Sequence, residues 1–436
     1  MKLHKRFVLL YSTTMIYILL PKMTGNYLNK LKISISQQKP LPYMSYSFNH
    51  YLTEIKDKIE KLGDDWNTYK KYTNPYENIH TNSHKTSVCK YKPISRAYFK
   101  MVEIINMFNF QNLQTATPIK MFALAEGPGG FIEAVLNYRN NADDRYYGIT
   151  IEDPCDNEVP GWKKTAAFLK NHPNIFIEKG ADGTGNILNI DNFRHVTGEY
   201  RGQMDFVTGD GGFDFSSDFN NQEVNIISLL FAQIAFAVCI QKIGGCFVLK
   251  CFDCFHKATA ELLFLLSTMY EKVHIVKPNT SRYANSERYL VCTNFLCNDP
   301  NIVNVFDELM INICSNPPSQ FVKSFLNNMR VPMIFYNKLE ESNSIICQIQ
   351  LDNIYNTIAL IKNNYKADKI NYYMKSHVHK CIQWCVKNKM DYNLHNFAGD
   401  HLEKNIFKAA AAKGGGGGAC NENKVHSFSL SDYESE

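Results

Sequence analysis

"MFALAEGPGGF", residues 121–131, runs from an apolar stretch through three glycines and a proline into a helical pattern. A strand that ends in glycines and reopens as a helix is how a nucleotide-binding β–α unit begins, provided the same alternation continues. It does continue. Downstream lie helix 130–138, "YYGITI" (146–151), helix 163–171, "IFIEKG" (175–180) and "MDFVTGD" (204–210). Helix 222–241, "GGCFVLKCF" (244–252), helix 257–270, "VHIVKP" (273–278) and "RYLVCTNF" (288–295) complete the run. Short apolar runs alternating with helices predict an α/β, doubly wound, Rossmann-like domain with a largely parallel sheet. The last two runs share a short polar loop and are expected as an antiparallel pair at the sheet edge.

Outside this region the pattern changes. In residues 50–72, Leu52, Ile55, Ile59 and Leu62 recur at helical spacing, and Gly63 ends the helix. "SRAYFKMVEIINMF" (95–108) is a further helix with Ser95 as its N-cap. Beyond 300, "NIYNTIALIKNNYK" and "MKSHVHKCIQWCVKN" read as helices, and the Ala- and Gly-rich tail as a disordered extension. The expected organisation is an N-terminal extension (1–90), the α/β domain (91–300), a helical module (301–408) and a low-complexity tail (409–436).

A chain of 436 residues, 45% hydrophobic and 20% charged, has the composition of a globular protein. Its net charge of +5 allows a polyanionic partner only through a local patch. Thirteen cysteines, an odd number with several in apolar runs (Cys239, Cys246, Cys292), exclude a disulfide framework and point to a reducing, cytoplasmic setting. The opening "MKLHKRFVLLYSTTMIYILLPK" resembles a signal-peptide core, but it is short for a span and has no small-x-small site after it. A buried strand or helix is the preferred reading, and no other segment is expected to approach the length of a membrane span.

The chemistry gathers at the ends of the apolar runs. The glycines of "EGPGGF" would let a ligand approach the backbone, although the dinucleotide GxGxxG pattern is not completed. Glu152, with Asp153 as its understudy, ends the second run, where a carboxylate commonly meets a ribose; a helix N-cap is the competing reading. Asp182 would meet an adenine edge or simply form a turn. Asp210 sits just past a strand among glycines. Lys250 ends an apolar run, where a lysine is costly unless it is paired or lies in a cleft, though snorkelling is the ordinary explanation. Glu287 precedes the final strand and Lys100 lies on the helix before the whole unit. Lys–Asp–Lys–Glu makes chemical sense as a set: a second ammonium lowers a lysine's pKa from about 10.4, and carboxylates hold the amine in place. The neutral amine can then deprotonate a weak nucleophile such as a ribose hydroxyl.

"SRAYFK" (95–100), "EGPGGF" (126–131), "TGDGGFDF" (208–215), "GGCFVLKCF" (244–252) and "KPNTSRYANSERYLVC" (277–292) together resemble the FtsJ-like RNA 2′-O-ribose methyltransferases, mRNA-cap branch. The resemblance implies a catalytic tetrad of Lys100, Asp210, Lys250 and Glu287, with Lys250 as general base. It implies S-adenosyl-L-methionine as cofactor, held by Glu126, Gly127, Gly129, Gly130 and Phe131, with Glu152, Asp182 and Asp210 completing the site. It further implies RNA, and capped mRNA first, as partner, with other capping or transcription factors as possible associates. Relatives of this kind are encoded by large cytoplasmic DNA viruses, an origin the Asn-, Ile- and Lys-rich composition suits. The same chemistry on ribosomal or transfer RNA, and a silent binding subunit of the same fold, are the competing functions. No metal is expected: His377, Cys381 and Cys385 form one helical stripe without a completing ligand, and Cys251–Cys254 is a CxxC without a second pair. Lys323, Arg330, Lys338, Lys362 and Lys366 read as solvated helix faces before they read as phosphate contacts.

Overall fold

In the computed structural model, the residues described are 15–81, 87–152, 161–163, 165–212, 220–326, 329–363 and 366–393. Asp153 and residues 213–215 of "TGDGGFDF" lie outside them, as do residues 1–14 and the tail. The strands are β1 (Ile16–Leu19), β2 (Leu31–Ser36), β3 (Lys120–Leu124), β4 (Arg145–Ile149), β5 (Ile175–Glu178), β6 (Met204–Gly209), β7 (Gln241–Cys251), β8 (Tyr270–Lys277), β9 (Arg288–Phe295) and β10 (Phe321–Leu326). Before β3 come helices α1 (Tyr46–Glu60), α2 (Gly63–Thr73), α3 (Ala97–Phe108) and the short α4 (Gln111–Gln114). Interleaved with the strands are α5 (Gly130–Arg139), α6 (Ala166–Asn171), α7 (Ile190–Tyr200), α8 (Gln222–Ile240) and α9 (Lys257–Met269). After β9 come α10 (Ile302–Cys314), α11 (Met333–Lys362) and α12 (Lys366–Lys387).

Eight strands form one mixed sheet in the order β1-β8-β9-β7-β6-β3-β4-β5. The pairings β5–β4, β4–β3, β3–β6 and β6–β7 are parallel, while β9 runs antiparallel to both β7 and β8. All seven strands read from residues 121–295 are present, so the doubly wound α/β expectation holds. One detail differs: β8–β9 is not the sheet edge, because β1 adds to β8 with Ile16 opposite Lys277. The described end of the apolar N-terminal segment is thus a strand that satisfies β8's free backbone groups.

Side chains alternate across the sheet as the pleat requires. Phe122, Leu124, Val207, Phe247, Leu249 and Leu290 share one core with α8 and α9. Their neighbours face the other way: Phe206 meets Phe110 beyond α3, and Tyr289 meets Phe131 on α5. Helix α8 is buried on nearly every side, under the sheet and against α10 and β10. That position explains its uniform apolarity and corrects the expectation about span length, since α8 is long and apolar enough to cross a membrane yet sits in the core.

Three further expectations are corrected. Gly63, at φ +48°, opens a second helix instead of ending the first, which stops at Glu60. Ser95 is not an N-cap; Arg96 holds that position without a side-chain bond, and Ser95 Oγ is buried against the glycine loop instead. The region beyond 300 is not purely helical, because β10 pairs antiparallel with β2 in a two-stranded ribbon.

Candidate active site

The chain leaves β3 for β4 and β5, then returns to place β6 on the opposite side of β3. A crevice opens at such a switch point beyond the carboxyl ends of the strands. Asp210 follows β6 there, with its N–H donating to Leu124 O at 3.2 Å. The parallel register that pairs Gly209 with Leu249 carries Lys250 alongside Asp210, and the antiparallel register sets Lys250 opposite Tyr289. Glu287 is one residue before β9, and Lys100 reaches in from the second turn of α3.

These four side chains meet. Lys100 Nζ lies 2.8 Å from Glu287 Oε1 and 2.9 Å from Oε2. Lys250 Nζ donates to Asp210 O at 2.5 Å and lies 3.2 Å from Asp210 Oδ1. Tyr289 joins the two pairs: its hydroxyl donates to Asp210 Oδ1 at 3.1 Å and accepts from Lys100 at 3.3 Å. Each of the four charged side chains keeps only 10–15% of its surface in contact with solvent, so the pairs interact in a medium much less polar than water. Burial pushes the Glu287 carboxyl up, but the ammonium groups of Lys100, Lys250 and Lys277 overcome it and hold the pKa at about 2.

Lys277 is a member of this cluster that sequence reasoning missed. It is 2% exposed, and burial pulls its pKa down to about 7 against the opposing charge of Glu287. The signal was present, since Lys277 ends the apolar run "VHIV" just as Lys250 ends "CFVL". Ser281, whose hydroxyl donates to Glu287 Oε1 at 2.7 Å, and Tyr289 were also missed.

The glycine loop is braced from inside. Glu126 is buried and accepts the Phe131 N–H through Oε1, while its Oε2 has no partner. Burial, with the Asp210 charge adding to it, raises its pKa well above the usual carboxylate range. A Cβ on Gly127 would lie 2.6 Å from Gly161 O, and Gly129 sits at φ +103° with Trp162 3.1 Å from where its Cβ would be. Close packing by the protein therefore requires both glycines, whatever they do for a ligand. Gly130 opens α5 against Ser95, and the Phe131 ring is in the core beside Tyr289. Glu152 lies at the carboxyl side of β4, paired with Lys179 at 2.9 Å. Asp182 is exposed and ties its own loop, accepting from Thr184, Asn189 and Asn192. Those hydrogen bonds outweigh desolvation and lower its pKa. The loop Glu126–Phe131, the unpartnered Glu126 oxygen and the carboxylates flanking the crevice are the groups available to a nucleotide-like cofactor.

Residues set aside on sequence grounds have structural surroundings. His377 stacks on Tyr373, and Cys381 and Cys385 are buried beside Trp384, which meets Phe99 of α3 edge-on. Among the described residues, no group of three or more His, Cys, Asp or Glu could hold a metal ion. Lys338 pairs with Glu341, and Lys366 lies over the Tyr69 ring.

Fold and site together define a Rossmann-like α/β domain with a charged cluster beside its glycine loop. Residues 93–295 match the model of the FtsJ-like methyltransferase family. The chain is 26% identical over 326 residues to a cap-specific mRNA (nucleoside-2′-O-)-methyltransferase 2 of Drosophila melanogaster, covering 72% of this chain and 45% of that protein. It is 36% identical over 176 residues to a cap-specific mRNA (nucleoside-2′-O-)-methyltransferase 1 of Trypanosoma cruzi, covering 39% of this chain and 46% of that one. The chain thus spans about half the length of these curated relatives. Among solved structures, a ribosomal RNA methyltransferase of Plasmodium falciparum is 25% identical with a TM-score of 0.33, covering 46% of this chain and 98% of that one.

Proposed function

We propose that this protein transfers a methyl group from S-adenosylmethionine to the 2′ hydroxyl of ribose in RNA, at cap-proximal nucleotides of mRNA. The observation that carries the reading is the pair of ion pairs, Lys100–Glu287 and Asp210–Lys250, bridged by Tyr289 beside the glycine loop. The printed names of the relatives support the choice of capped mRNA.

S-adenosylmethionine, when bound, supplies an electrophilic methyl group on its sulfonium. The loop Glu126–Phe131, Glu152, Asp182 and Asp210 would hold it. The free oxygen of Glu126 is a buried polar atom without a protein partner, which fits a polar ligand better than an apolar one. Asp210 occupies two of the three hydrogens of the Lys250 ammonium, through its carbonyl and Oδ1, leaving one position for a substrate oxygen. Lys250 in its neutral form takes the proton of the ribose hydroxyl, and releases it to solvent after transfer. Lys100, fixed by both oxygens of Glu287, is linked to the Asp210–Lys250 pair through the Tyr289 hydroxyl. Excluding water and fixing the hydroxyl in line with the methyl supply the remainder of the barrier reduction.

The setting belongs to the same reading: a reducing cytoplasm, supported by free thiols at every cysteine among the described residues. The Asn-, Ile- and Lys-rich composition suits an origin in a large cytoplasmic DNA virus, and packaging in the virion and association with other capping or transcription factors would follow from that origin. Transcripts of one sequence, capped and uncapped, incubated with labelled S-adenosylmethionine, test the substrate. Label only on the capped RNA is expected; equal labelling of both would reassign the enzyme to another RNA, and label on neither would refute the reaction.

A further inference from the structure

The loop 278–287 joins β8 to β9 and ends in Glu287, and its interior is organised around one side chain. Lys277 Nζ donates to Glu287 O at 2.6 Å, Asn285 O at 2.8 Å, Asn285 Oδ1 at 2.9 Å and Arg282 O at 3.2 Å. At the start of the loop, the buried carboxylate of Glu103, one turn beyond Lys100 on α3, accepts the N–H groups of Asn279 and Thr280, both at 2.8 Å. We propose that the Lys277 ammonium is the template around which this loop folds, and that Lys277 and Glu103 are positioning residues that present Glu287 to Lys100. The inference rests on the reading above only where turnover is measured.

Four oxygens surround a group that has three N–H donors when charged and two when neutral. Three of those oxygens are backbone carbonyls of the loop itself, and a hydrogen-bonded ring of this kind closes only around a donor. Lys277 therefore sets the backbone path to Glu287, while its charge helps to keep that carboxyl ionised. Glu103 ties the other end of the loop to the helix that carries Lys100, so the two halves of the Lys100–Glu287 pair are referenced to one rigid element. The outer side of the loop is held independently: Arg282 grips Glu77 through Nε at 3.1 Å and Nη2 at 2.8 Å, and Ser286 donates to Gln222 at 2.9 Å. Loss of Lys277 should consequently loosen the interior of the loop without releasing it from the protein. Neither residue reaches the reacting atoms, so both act through Glu287.

The experiment uses the full chain and its variants Lys277→Met and Glu103→Gln, with hydrogen exchange followed by mass spectrometry over residues 278–287. Turnover on a capped transcript, KM for that RNA and Kd for S-adenosylmethionine are measured in parallel. Exchange at least tenfold faster and confined to this loop is expected in Lys277→Met. With it, kcat should fall at least tenfold while KM and cofactor Kd stay within twofold. Glu103→Gln should change the same quantities in the same directions by a smaller factor, and it decides the matter if Lys277→Met fails to fold. Unchanged exchange in a folded variant would overturn the proposal, as would faster exchange with wild-type kcat. If the wild-type protein methylates no RNA, the functional reading fails on its own and the exchange measurement still judges the template.

Discussion

Replacing Glu287 by glutamine keeps the shape of the side chain and removes its charge, which is what three surrounding lysines respond to. In the folded protein the carboxyl is held at about 2, against an ordinary 4.5. At about 1.4 kcal/mol for each tenfold change in proton affinity, that difference corresponds to about 3 kcal/mol of stability from the ionised form. Because the folded pKa is the depressed one, this stability is fully present above pH 4.5 and is lost as the pH falls toward 2. Glu287→Gln lacks it at every pH. Denaturant titrations of wild type and variant should therefore differ by about 3 kcal/mol at pH 7, with the gap closing between pH 4.5 and pH 2. Methyl transfer by the variant should fall by about 10²-fold, since Lys100 loses the carboxylate that supplies two of its three contacts. A gap independent of pH, or no gap at neutral pH, would refute the argument that the lysine cluster is what holds Glu287 ionised.

Lys250→Ala should reduce kcat by about 10²–10⁴ while cofactor affinity, read by calorimetry, stays within twofold; normal turnover would remove Lys250 from its role as base. Tyr289→Phe deletes the hydroxyl between Asp210 and Lys100, and should cost about 1–2 kcal/mol in stability and about tenfold in kcat, checked by denaturation and single-turnover kinetics. Gly129→Val forces a β-branched residue to φ +103° against Trp162; a loss of about 1–3 kcal/mol in thermal stability and weaker cofactor binding are expected, measured by calorimetry.

Much of this was legible in the sequence because α/β folding writes itself locally. Each strand from β3 to β9 is a short apolar run bounded by glycines or polar residues, and three of the four catalytic candidates, Asp210, Lys250 and Glu287, end or precede such a run. The register of a parallel sheet then brings Asp210 and Lys250 together from positions forty residues apart in the chain. Less was legible where the partner is remote. β2 and β10 pair across almost three hundred residues, and neither carries a pattern that names its mate. Tyr289 reads as one more aromatic in a buried strand, and only the alternation of faces along β9 turns its hydroxyl toward Lys100. Glu103 and Lys277 are ordinary charged residues until the loop between β8 and β9 is seen closing between them. The glycines of the loop after β3 show the opposite difficulty: their need was visible, but protein packing from residues 161 and 162 accounts for part of it.

The central claim is that one cluster of side chains, at the carboxyl ends of β6 and β7, activates a ribose hydroxyl. Nuclease digestion and mass spectrometry of a capped transcript, after reaction with the wild-type protein and with Lys250→Ala, test it most directly. The account predicts a single added methyl on the 2′ oxygen of a cap-adjacent ribose with the wild type, and none with the variant. A methyl on a base, or an undiminished yield from Lys250→Ala, would contradict it.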